Sequence, residues 1–228
     1  PGQLDYHNVA HFREAVMAAG PLSALEFEGE MACPHFVVLA MTAMVGHDFK
    51  HDGTSNTPDK SLEAMAWDAC KPHLEGVHLE DMRALESVIM GTDPTKLNDH
   101  RSRYASVQSP PSSIERLRLL ACEADLTPSL LPVHGVAVGK LFANELSASG
   151  VTNLQTLGKT IGSWESRMGF LKHAAPISGA ANKFGFSHMH DVQLQAYSAL
   201  TDSLGMMSDK ETAKYLDGLE VSLGPVHA

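Results

Sequence analysis

Apolar residues recur along most of this chain at three- and four-residue spacing, the repeat of an amphipathic helix, and nowhere in a sustained two-residue alternation. After Asp5 the pattern predicts a helix over residues 6–19, stopped by Gly20-Pro21. Pro34 opens a second helix whose nearly all-apolar run, 36-FVVLAMTAMV-45, continues to Gly46 and implies burial on most sides. Leu62, Met65, Ala66 and Ala69 mark a third helix; Leu79, Met82, Leu85, Val88 and Ile89 mark a fourth, ending at Gly91. Ser112 and Glu115 have capping-box spacing ahead of Ile114, Leu117, Leu120 and Ala121. Further helices are expected over residues 129–148, 151–173, 187–204 and 209–222, and the segment 98–113 reads as a long surface loop. No linker rich in Gly, Pro or Ser divides the chain, so the expectation is a single all-α domain over residues 1–228.

Composition narrows the function classes. A chain of 228 residues, 43% hydrophobic and 19% charged, is long enough for a substantial core and is ordinary globular material. Its net charge of -10 argues against an extended groove that tracks nucleic-acid phosphates. A small phosphate ester stays open as a ligand, because bound cations can reverse the local field. Cys33, Cys70 and Cys122 lack CxxC pairing, which favours a reducing compartment over a disulfide framework. The longest apolar run is far too short for a bilayer and no charged leader opens the chain, so the expected location is cytoplasmic. A domain or leader ahead of Pro1 stays compatible with the abrupt start of the sequence, and the oligomeric state is not specified by it.

Metal-ligand residue types gather at four places: 5-DYHNVAHF-12, with His7 and His11 at i and i+4; His47-Asp48 at the foot of the apolar helix; Thr92-Asp93 after the fourth helix; and Asp125 in 121-ACEADLTP-128. Each has a bland reading, since a lone helical histidine is usually solvated and an aspartate near a helix end is usually a cap. Together they combine imidazole and carboxylate, a set that suits zinc, manganese or iron. A carboxylate beside an imidazole can also bridge two metals while the imidazole binds one, and two cations about 3.5–4 Å apart clamp a phosphodiester.

The full set resembles the catalytic domain of class I 3′,5′-cyclic-nucleotide phosphodiesterases, a branch of the HD-domain metal hydrolases. The family's Y-H-N-x-x-H stands here as 6-YHNVAH-11, its H-D-x-x-H-x-G-x-x-N as 47-HDFKHDGTSN-56, and its threonine-aspartate and A-D-L motifs as 88-VIMGTD-93 and 124-ADL-126. A leucine-glutamate segment resembles 74-LEGVH-78. The match covers roughly residues 5–130 and continues more weakly to about residue 186. It implies a compact multi-helix HD-domain bundle with a dinuclear metal site. His11, His47, Asp48 and Asp125 would ligate the tighter metal, zinc, and Asp48 would bridge to a second, magnesium or manganese. The implied reaction opens a cyclic nucleotide to its 5′-monophosphate through a metal-activated hydroxide. His7 would be the general acid, His51 and Glu75 would orient the hydroxide and metal waters, and Thr92 and Asp93 would hold further waters.

Departures from the family pattern set the alternatives. Lys50 and Asp52 flank His51 where the family has aspartate and proline, and a surface-facing Lys50 is expected. The chain also starts short of helices that precede the Y-H-N motif in the family. On the substrate side, Tyr6 is expected to pack, and 166-SRMGF-170 keeps the stacking phenylalanine as Phe170 but has Arg167 where the family has the base-reading glutamine. That change leaves room for a different phosphate ester or nucleotide, or for a nucleotide sensor without turnover. The histidines of 188-HMH-190 point to different helix faces and are not expected to be ligands.

Overall fold

Ten α-helices and two 3₁₀ turns carry the chain through the computed structural model, which describes residues 4–57, 60–106, 109–131, 134–151, 154–155, 164–205, 210–211 and 214. In order they are α1 (Val9–Glu26), α2 (Cys33–Gly46), α3 (Leu62–Cys70), α4 (Leu79–Ile89), α5 (Leu97–Tyr104), α6 (Ser113–Leu130), α7 (His134–Ala148), α8 (Trp164–His173), α9 (Gly179–Phe184) and α10 (Phe186–Gly205). Among the described residues there is no strand, only an isolated bridge between Thr57 and Lys60. The protein is all-α. No single helix among the described residues is long and apolar enough to cross a membrane.

Local chemistry explains most boundaries. Asn8 caps α1 by accepting from the backbone N–H of Ala10 and His11, and Pro34 stands in the first turn of α2, where its missing N–H costs nothing. The Ser112–Glu115 capping box forms as expected. Gly20-Pro21 does not stop α1, which continues to Glu26. Pro21 is exposed, as is Met17 one turn earlier at 74%, so water can take the carbonyl left without a donor. Gly20 instead brings α1 against Met41 of α2.

Three further expectations need correction. The 98–113 segment is not a continuous loop: Leu97 and His100 are buried on one side of α5, anchoring a polar sequence whose own propensity is poor. Residues 129–148 are split between the end of α6 and α7, because α6 runs through Pro128 to Leu130. The apolar α2 is buried along one side only, with Val38 62% and Val45 56% exposed. Of the expected helix at 151–173, residues 154–155 and Trp164–His173 are helical; residues 152–153 and 156–163 lie outside the described residues, as does most of 209–222.

The central core joins Leu22 and Phe27 of the first helical hairpin to Met44, Ile89, Leu117 and Leu120. Thus α1, α2 and α6 pack side by side, and the polar ends and faces they share define one location where their side chains converge. A second cluster, Leu130, Val136, Met168 and Leu171, fixes α6 and α7 against α8.

Candidate metal centre

The first turn of α1, the foot of α2 and the interior of α6 each bring candidate ligands to one point. His11 sits in the first turn of α1, His47 caps the C-terminus of α2, and Asp48 follows it. Asp125 lies inside α6 rather than after it, because the helix continues past Pro128. Their donor atoms all lie within 4.8 Å of one another. His11 Nε2 stands 3.3 Å from His47 Nε2 and 3.2 Å from both Asp48 Oδ2 and Asp125 Oδ1. His47 Nε2 is 3.0 Å from Asp48 Oδ2 and 3.3 Å from Asp125 Oδ1.

These separations cannot all be hydrogen bonds. Each Nε2 carries at most one proton, while each faces the other imidazole and two carboxylate oxygens. A tetrahedron of nitrogen and oxygen ligands at zinc-like bond lengths has edges of about 3.3 Å, which the five observed separations match closely. His47 Nδ1 donates to the Met44 carbonyl at 2.8 Å, which aims the Nε2 lone pair at the cluster. The His11 and His47 rings are buried, as expected of a ligand set. Burial alone pulls the His11 pKa down, yet hydrogen bonding to Asp125 and Asp48 raises it to about 9. Burial likewise pushes both carboxyls up, but the imidazoles hold Asp48 and Asp125 well below the usual range. The imidazolium charges thus balance the two carboxylates, and a cation that displaced the protons would meet two carboxylate oxygens and two imidazole nitrogens.

A second histidine pair flanks the first group. His7, Asp48 and His51 also converge within 4.8 Å, so Asp48 belongs to both groups. The His7 and His51 rings stack with centroids 3.6 Å apart, and His7 Nε2 is 3.7 Å from Asp48 Oδ2. Glu145 of α7 grips His7: one oxygen pairs with Nδ1, the other accepts the backbone N–H of Tyr6 at 2.8 Å and of His7 at 3.0 Å. The Gly53 N–H donates to His51 Nδ1 at 3.0 Å. Gly53 has φ +75°, and a Cβ there would meet Leu4 at 3.0 Å and the Glu145 stem at 3.7 Å, so only glycine brings the loop this close. Burial, with His7 next to it, lowers the His51 pKa to about 4.

A cavity of about 380 Å³ opens beside these groups. Tyr6, His7, His47, Asp48, His51, Thr92 and Asp125 line it together with Leu126, Gly139, Phe142, Arg167 and Phe170, and the Phe142 ring centroid stands 5.9 Å from that of His7. Tyr6 packs between His11 and Phe142, with ring centroids 4.7 and 5.1 Å away. Arg167 donates to the Ser129 carbonyl, and its guanidinium lies 5.7 Å from the Phe170 ring centroid. Thr92 is buried and donates to the Ile89 carbonyl at 2.8 Å. Asp93 accepts from the Thr95 N–H at 2.9 Å and caps the Pro94–Lys96 turn; its side chain is not among those lining the cavity.

Glu75 is not brought to the site. It is exposed in the turn before α4, whereas Glu63 is buried at the cavity wall and accepts from Asn56 Nδ2 at 3.0 Å. Leu62-Glu63 is thus the leucine-glutamate pair beside the cluster, and its closer spacing to the His47–Asn56 segment was the available signal. Glu145 was missed entirely; a glutamate on the buried face of α7, three residues after Phe142, is the kind of misplaced charge that marks a partner. Lys50 is exposed with φ +60°, and Lys60 rather than Lys50 pairs with Asp52, at 2.6 Å. His190 is buried and bonded to the Leu171 carbonyl at 2.8 Å, away from the cluster. No protein-family model and no curated protein matches this chain.

Proposed function

We propose that the protein is a metal-dependent phosphodiesterase that opens a 3′,5′-cyclic nucleotide to the 5′-monophosphate. The observation that carries this reading is the near-tetrahedral set of His11, His47, Asp48 and Asp125 with His7 held beside it by Glu145. These four residues would hold zinc, and Asp48 would be shared with a second cation, magnesium or manganese, as in the HD-domain hydrolases the sequence resembles. When bound, the cations supply Lewis-acid neutralisation of the phosphoryl charge and ease deprotonation of water.

The remaining chemistry belongs to the chain. Water attacks phosphorus in line, the bond from phosphorus to the 3′ oxygen breaks, and His7 delivers a proton from Nε2 to the departing oxygen. Glu145, bonded at Nδ1, leaves Nε2 as the working nitrogen and keeps the ring facing Asp48. The apolar side chains of the cavity take the nucleoside, with Phe170 available for stacking and Arg167 beside it. A turnover screen tests the reading. It covers cyclic purine and pyrimidine nucleotides, linear dinucleotides and aryl phosphodiesters, with zinc plus magnesium or manganese. A second reading, hydrolysis of a different phosphate ester by the same centre, is favoured by the engagement of Arg167 with the Ser129 carbonyl. Turnover confined to non-cyclic esters would select it.

A further inference from the structure

The geometry points to Gly139 as the residue that sets how large an organic group the cavity admits beside the reacting phosphate; the inference rests on the phosphodiesterase reading. Gly135, Gly139, Phe142 and Glu145 follow one another at helical spacing along one face of α7, and Gly139 and Phe142 of that face line the cavity. Ten residues of helix span about 15 Å, so this face runs from Arg167, against Gly135, to His7, against Glu145. The two glycines have opposite reasons. A Cβ at Gly135 would lie 2.3 Å from the Ser129 carbonyl oxygen, so close helix approach demands glycine there. At Gly139 a Cβ would meet nothing within 4 Å, although the residue lines the cavity.

A glycine in a helix interior is destabilising relative to alanine, and no packing constraint explains this one. What the missing side chain provides is space in a cavity that Leu126, Phe142 and Phe170 also line. These three give it apolar surface, whereas His7, Asp48 and Asp125 bring the ionisable groups of the cluster to the same cavity. The phosphate therefore faces His7 and Asp48, and the space beside Gly139 takes a flat, weakly polar ring such as a nucleobase.

The test uses Gly139→Ala, Gly139→Leu and, as a control, Gly169→Ala. Gly169 is an exposed helical glycine with open space and is not among the residues lining the cavity. Both alanine variants should raise the melting temperature, by about 2–4 °C. Calorimetry with thymidine 5′-monophosphate should show binding weakened roughly 5- to 150-fold in Gly139→Leu, less in Gly139→Ala, and unchanged in Gly169→Ala. Turnover of thymidine 5′-(4-nitrophenyl phosphate) should fall in parallel, while methyl 4-nitrophenyl phosphate, with the same leaving group, should keep its kcat/KM. Equal nucleotide binding by all four proteins, or none by the wild type, overturns the inference. Size-selective binding without turnover of either ester keeps it and overturns the phosphodiesterase reading instead.

Discussion

Glu145 and His7 are 138 residues apart in the chain, yet one carboxylate holds both the ring and the backbone of the histidine. Residues before α1 have no helix to fix them, so this clamp from α7 is what orients the ring toward Asp48. Removing its charge should matter even though Glu145 touches no substrate. Glu145→Gln should lower kcat for a cyclic nucleotide by roughly 10- to 100-fold, the scale of other orienting partners. KM should change little. In the Glu145→Gln, His7→Asn double variant the two losses should fail to add, because both act through one ring. Additive losses would separate the two residues.

In the proposed reaction His7 acts on the leaving group. His7→Asn should retain bound metal and slow a cyclic nucleotide by ~10²–10⁴-fold, the usual loss for a general acid. A 4-nitrophenyl ester, whose leaving group needs little protonation, should suffer much less. Equal slowing of both substrates, in steady-state kinetics, would contradict the acid role.

Arg167 lines the cavity and offers only donors to whatever enters it. Guanine presents two acceptors to a guanidinium, whereas adenine sets an amino donor beside one of them. The expected preference for cyclic GMP over cyclic AMP corresponds to about 1–3 kcal/mol, or roughly 5- to 150-fold in kcat/KM. Arg167→Gln should shrink it by raising cyclic AMP turnover. A uniform fall for both nucleotides would restrict Arg167 to holding the Ser129 carbonyl.

Lys50 lies in the ligand-bearing loop without serving it. Its left-handed φ of +60° is unfavourable for any side chain with a Cβ, and its ammonium is exposed. Lys50→Gly should stabilise the fold by about 0.5–1 kcal/mol, less whatever the freer unfolded chain takes back. Activity should not change. A loss of activity in this variant would give the ammonium a role in the site.

Local sequence carried the helices and the residues that punctuate them, because capping and apolar spacing act within a turn or two. Pro34 and the Ser112–Glu115 box stand where their chemistry required, whereas α1 starts at Val9 behind an Asn8 cap rather than at residue 6 after Asp5. What local pattern could not carry were outcomes decided by distant contacts. Pro21 stays in a helix because its side faces solvent, and α5 forms because Leu97 and His100 are buried against neighbouring elements. The site divides the same way. His11, His47, Asp48 and Asp125 were legible as a motif set, and the structure gathers all four. Glu75 was chosen where the structure brings Glu63 to the cavity wall, since several Leu-Glu pairs follow the His47–Asn56 segment and spacing alone favours the nearer one only weakly until burial is seen. Glu145 lies in no motif at all; its role exists only once α7 is folded against the start of α1.

The central claim is that His11, His47, Asp48 and Asp125 surround a cation, and metal content measures it directly. The protein, purified without added metal, desalted and analysed by inductively coupled plasma mass spectrometry, should retain about one equivalent of zinc or a related transition metal. Asp125→Ala should lose it while circular dichroism shows the helices intact. Full metal retention in Asp125→Ala, or a wild type that takes up no transition metal even when it is supplied, would contradict the account.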